Sequence, residues 1–103
     1  CQFLPLTEQG NSSCLHTQTN GRNKNQFIGY AAGFNNLTGG NNLFQGYRAG
    51  YSNNTGNFNV FEGGDAGYGN TSGEFSTFVG NRAGFGNNIG GNNSFFGYQA
   101  GSA

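Results

Sequence analysis

The chain has 103 residues, of which 33% are hydrophobic and 21 are glycine, and four Lys/Arg balance four Asp/Glu for a formal net charge of +0. That length holds one domain, and the neutral balance offers no basic field for nucleic acid or an anionic membrane. The roughly 45–50% apolar share of ordinary domains is reached only by counting the 21 glycines, which argues against a conventional Leu/Ile/Val core, while 11 Phe and 5 Tyr at fixed places argue against disorder.

Residues 1–18 form a non-repetitive leader that begins "CQFLPL". No window of the chain has the apolar length of a membrane span, so membrane insertion is not expected. The opening is too short, and lacks the basic residues, for an intact signal peptide. Cys1 and Cys14 are expected to close a disulfide that staples the leader in an extracellular setting. Two free thiols, or a lipid-modified Cys1 as in bacterial lipoproteins, are the alternatives. Phe3, Leu4 and Leu6 give the leader an apolar patch for contact with a neighbouring subunit.

Residues 19–103 are repetitive. Gly29, Gly46, Gly63, Gly80 and Gly97 open units of 17 residues, and each is taken here as position one. Position four is Ala in every unit, position five Gly, position eight Asn in every full unit, and position sixteen Phe. Such invariance inside one chain means that successive units occupy equivalent environments. The period is too short for a helix pair, and Gly, aromatic and β-branched residues indicate short strands between turns. The expected fold is all-β, a β-solenoid (β-helix or β-roll) with one coil per unit, either trimeric or stacked head-to-tail.

Within a coil, strand one is expected over positions thirteen to seventeen and strand two over positions two to six, with a turn of Asn and Gly between them. Phe27, Phe44, Phe61, Phe78 and Phe95 then form an inward ladder beside Ala32, Ala49, Ala66, Ala83 and Ala100, in a thin interior. Tyr51 is also expected inward. Positions thirteen, fifteen and seventeen face out and create an apolar stripe that includes Phe58, Val60, Phe75, Val79 and Phe96, an interface with other chains. Position three stacks Arg48, Asp65 and Arg82 in alternation, which would fix coil register. At the ends, residues 19–28 run from position eight to seventeen, and "GYQAGSA" runs from one to seven. Together they make one coil, so neighbouring subunits are expected to share a coil in a non-closing filament.

Chemistry-bearing residues are sparse. His16 has no second His and no CxxC pair, so no metal or cofactor is expected. Glu8, Glu62, Asp65 and Glu74 form no acid/base pair, and the repeat's serines have no His beside them. No catalytic residue is assigned, and the chain is read as non-enzymatic. Sequons occur at Asn11, Asn36, Asn53, Asn70 and Asn92; three of them share position eight, where a turn would project a glycan outward.

The units "GYAAGFNNLTGGNNLFQG", "GYRAGYSNNTGNFNVFEG", "GNRAGFGNNIGGNNSFFG" and the closing "GYQAG" resemble repeat arrays of bacterial and viral surface or tail-fibre-like proteins. More loosely, they resemble the heads of YadA-type trimeric autotransporter adhesins, whose coils are shorter. The resemblance implies secreted or cell-surface fibrous β-structure, often trimeric, serving attachment or extension. The reading of function is therefore an extracellular structural protein that self-assembles into a fibre, its main partner being itself. An adhesive head domain with an unidentified surface receptor is the alternative.

Overall fold

The computed structural model describes residues 15–20 and 23–102, with the strand backbone alone at 15–20 and 23. Six strands form one sheet in chain order: β1 (Leu15–Asn20), β2 (Asn23–Ile28), β3 (Leu43–Gln45), β4 (Val60–Glu62), β5 (Thr77–Val79) and β6 (Ser94–Phe96). From β2 onward every pairing is parallel, and Phe27, Phe44, Phe61, Phe78 and Phe95 are successive register partners. The fold is a parallel β-solenoid with one coil per 17 residues.

Each coil contains one strand of three residues, and its limits have a backbone cause. Position thirteen is left-handed in every full unit (Asn41, Phe58, Phe75 and Asn92, φ 56° to 60°), and position one takes a φ of 120° to 134°. A strand needs negative φ throughout, so it survives only between these two points. The longer strand expected over thirteen to seventeen is trimmed accordingly.

Strand two is not formed. Over positions two to six, left-handed residues alternate with ordinary ones: Arg48 has φ 55° and Gly50 has φ 61°. The backbone folds into consecutive turns in which the Gly46, Arg48 and Gly50 carbonyls accept from the Ala49, Tyr51 and Asn53 amides. A left-handed third residue is the type II arrangement. The turns remain tied to neighbouring coils, since Arg48 N–H donates to Tyr30 O at 2.8 Å and Gly50 N–H to Ala66 O at 2.9 Å. The period-two rule that put Tyr51 inward therefore does not apply, and Tyr51 is only half-buried.

The core is a file of stacked rings. Phe27, Phe44, Phe61 and Phe78 are fully buried, with centroid spacings of 4.7–5.1 Å and interplanar angles of 4–9°. That spacing follows the separation of adjacent strands. Ala32, Ala49, Ala66 and Ala83 pack beside the rings, and Phe95 is partly buried against them. Ala100, in the last coil, is half-buried rather than enclosed. Position five must be Gly for two reasons. Its φ is near 61°, and a Cβ on Gly50 would overlap the ring of Phe44. The aromatic ladder lies directly on opposing backbone, so the molecule is thin, with extents of 32 × 30 × 14 Å.

The first coil differs from the expectation. β1 pairs antiparallel with β2, from Leu15↔Ile28 to Asn20↔Asn23. Residues 19–20 thus belong to β1, which runs through the expected boundary between 18 and 19, while β2 keeps its parallel place beside β3 with Phe27 in the ladder. β1 also takes the edge of β2 that the shared-coil joint requires. The disulfide is likewise corrected: the described residues hold no disulfide, Cys1 and Cys14 lie outside them, and the staple forms no part of the account. Asn11 and the apolar Phe3, Leu4 and Leu6 also lie outside the described residues.

Candidate interaction surfaces

Two columns of asparagine govern which surfaces remain available. At position eight, Asn36, Asn53 and Asn70 are buried. Asn53 Nδ2 donates to Asn36 Oδ1 at 2.8 Å, Asn70 Nδ2 to Asn53 Oδ1 at 2.9 Å, and Asn87 Nδ2 to Asn70 Oδ1 at 3.1 Å. The same amides also reach the position-eleven carbonyls of Gly39, Gly56, Gly73 and Gly90. At position fourteen, the side-chain oxygens of Asn25, Asn42 and Asn59 accept from the backbone N–H of the next coil, at Asn42, Asn59 and Ser76. Their amides donate to Gly39, Gly56 and Gly73. Burying an amide is costly unless its bonding capacity is filled, and a stack of identical amides fills it by translation alone.

This corrects the sugar-attachment reading. Asn36, Asn53 and Asn70 point inward with their amides bonded on both sides, so they cannot carry a glycan in the folded chain. Asn92, at position thirteen, is exposed and remains the accessible sequon among the described residues.

The position-three ladder is formed in part. Arg48 grips Asp65 with two parallel bonds, Nε to Oδ1 at 2.8 Å and Nη2 to Oδ2 at 3.1 Å. Those bonds raise the guanidinium pKa above its ordinary value. Arg48 also lies over the rings of Tyr47 and Tyr68, 4.8 Å from each centroid. Arg82 does not complete the alternation: it sits over Phe85 at 4.6 Å, and its Nε is buried with no partner among the described residues.

Aromatic rings outside the core form two further columns that the sequence reading did not bring together. Tyr30 stacks on Tyr47 at 5.5 Å, and Phe34, Tyr51, Tyr68 and Phe85 stack in series at 5.1–5.2 Å. Tyr30, Ala31, Phe34, Tyr47, Arg48, Tyr51 and Tyr68 enclose a cleft of about 230 Å³. The signal was present in the sequence, since "GYAAGF" and "GYRAGY" each put aromatics at positions two and six. The assumed strand hid it by sending position six inward.

The outward stripe is where it was expected. Phe58 and Phe75 are 52% and 57% exposed and stack on each other at 5.1 Å with an interplanar angle of 3°. Phe96 is exposed, and Val60 and Val79 are half-buried on the same face of the strands. Glu62 is the one charged residue at positions thirteen, fifteen and seventeen of the full coils.

No helix among the described residues is long and apolar enough to cross a membrane, and no cluster of His, Cys, Asp or Glu among them could hold a metal. No family model, curated protein or solved structure matches the chain. The structure therefore supports the β-solenoid that the repeat resemblance implies, and no particular family.

Proposed function

We propose that this chain is a structural β-solenoid that associates with further copies of itself through the position-thirteen face, in a fibre outside the cell or on its surface. One observation carries this reading. Position thirteen is left-handed in every full coil, a conformation in which Asn is favoured and a bulky side chain is unusual. Asn41 and Asn92 follow that preference, whereas Phe58 and Phe75 accept the strain and still leave more than half of their surface in water. Residues held in sparsely populated backbone regions cost on the order of 1–3 kcal/mol each. Within one chain their mutual stack offsets part of that cost, and a second copy laid against the stripe would cover both rings.

The occupant is a second copy because the stripe repeats at the coil spacing and carries almost no charge, so an identical stripe matches it in period and polarity. Side-by-side association also leaves β1 in place over β2, unlike the shared-coil joint. The resemblance of the repeat to surface and tail-fibre-like arrays supports a secreted or cell-surface setting. A reaction is not part of the proposal: Asp65 is held by Arg48, and Glu74 Oε1 accepts from Asn57 at 2.6 Å.

Sedimentation velocity on the full chain tests the association. The wild type should form concentration-dependent oligomers, and Phe58→Asn/Phe75→Asn should remain monomeric with its β signal intact. Unchanged oligomers in the double variant would overturn the assigned face. The second reading, an adhesive head, is favoured by the aromatic cleft on a different part of the coil.

A further inference from the structure

We propose that the cleft between the Tyr30–Tyr47 and Phe34–Tyr51–Tyr68 columns binds a Pro-rich peptide in the polyproline II conformation. This inference does not depend on the lateral association proposed above.

The polar groups of the lining define the ligand first. Four tyrosine hydroxyls and the Arg48 guanidinium border the cleft, and no carboxylate or carboxamide does. Arg48 commits Nε and Nη2 to Asp65, and a guanidinium has five N–H donors in all. The lining side chains are therefore rich in donors, and their acceptors are the tyrosine oxygens. A saccharide brings many hydroxyl donors that would find few acceptors here. A proline backbone brings carbonyl acceptors and no N–H, so nothing it buries is left unsatisfied.

Spacing and size agree with that choice. A polyproline II helix repeats every three residues at about 3.1 Å each, or roughly 9.3 Å per turn. The position-six rings recur in all four full coils, whereas position two carries Tyr30 and Tyr47 and then Gly64 and Asn81. Two coil steps along the position-six column, from Phe34 to Tyr68, therefore span about 10 Å, in line with a strand spacing of ~4.8 Å. One turn of the peptide can thus meet equivalent rings two coils apart. The volume of about 230 Å³ lies below the roughly 300–1,000 Å³ of drug-sized pockets, which suits a short length of extended chain. The pair Arg48–Asp65 is neutral, so no charge is demanded of the ligand. Such a peptide also loses little conformational entropy on docking, which is why aromatic-lined grooves recognise this conformation generally.

The test uses the full chain and synthetic decaproline. The protein has no Trp and decaproline does not absorb in the tyrosine band. Tyrosine emission, four of whose five sources line the cleft, therefore gives the titration, and residue-resolved tyrosine ring NMR shifts locate it. Saturable shifts at Tyr30, Tyr47, Tyr51 and Tyr68 are expected. Tyr47→Ala and Tyr51→Ala should each weaken binding by about tenfold or more, about 1.4 kcal/mol, and Phe58→Asn should leave it unchanged. Tyr47 is 52% exposed, so its replacement removes little packing. Should Tyr47→Ala lose its β signal, Tyr47→Phe decides, with binding weakened by roughly threefold through loss of one hydrogen bond. Equal binding of a Gly/Ser decapeptide would overturn the proposal. So would tyrosine shifts produced by maltotriose or cellotriose but not by decaproline, or full affinity in both alanine variants.

Discussion

Positions eight and thirteen both carry asparagine, and the structure uses it for opposite ends. At position eight the side chain is the reason: Asn53 and Asn70 are buried, and each amide bonds the coil before it and its own Gly carbonyl. No other residue supplies a donor and an acceptor in that geometry, and the position never varies. At position thirteen the backbone is the reason. The coil needs a left-handed residue there, Asn adopts that conformation readily, and the side chain is free to change, as Phe58 and Phe75 demonstrate. A column that never varies is thus specified by its side chain, and one that alternates between Asn and Phe is specified by its φ and released to serve a surface.

Substitutions that separate the inside columns from the outside ones should rank accordingly. Phe61→Ala removes a ring with 0% exposure that is stacked at 4.8 and 4.7 Å on its neighbours, and should cost about 3–5 kcal/mol in a denaturant titration. A loss below about 1 kcal/mol would mean that the ring is not enclosed. Asn53→Ala deprives the Asn70 amide of one of its two acceptors and Asn36 of a donor, at about 1–3 kcal/mol by the same measurement. Phe58→Asn should change the monomer's stability by less than about 1 kcal/mol, because relief of backbone strain offsets the lost ring stack. Its visible effect should be on association alone. If Phe58→Asn destabilised the chain as much as Asn53→Ala, the contrast between the two columns would fail.

The solenoid, its coil length, the Phe and Ala ladders and the outward stripe were all legible, because they depend on periodicity and side-chain size. Strand two was not. Nothing in "YRAGY" announces that Arg48 will be left-handed, since that preference comes from the turn and not from the arginine. Placing a strand there turned Tyr51 inward and so concealed the aromatic cleft. The asparagine columns were missed for a related reason. Asn in a Gly-rich stretch reads as turn chemistry, and only stacking at the coil spacing turns a turn residue into a buried ladder. The invariance of position eight was the available clue, and three sequons drew attention from it. The antiparallel β1 lay in a stretch with no repeat to guide the reading.

Hydrogen exchange of side-chain amides tests the central distinction most directly. In a ¹⁵N-labelled chain, the Nδ2 protons of Asn53 and Asn70 should exchange far more slowly than those of Asn41 and Asn92, since they are released only when the stack opens. Exchange of all four at the rate of a free amide would contradict the account, because position eight would then face water as position thirteen does.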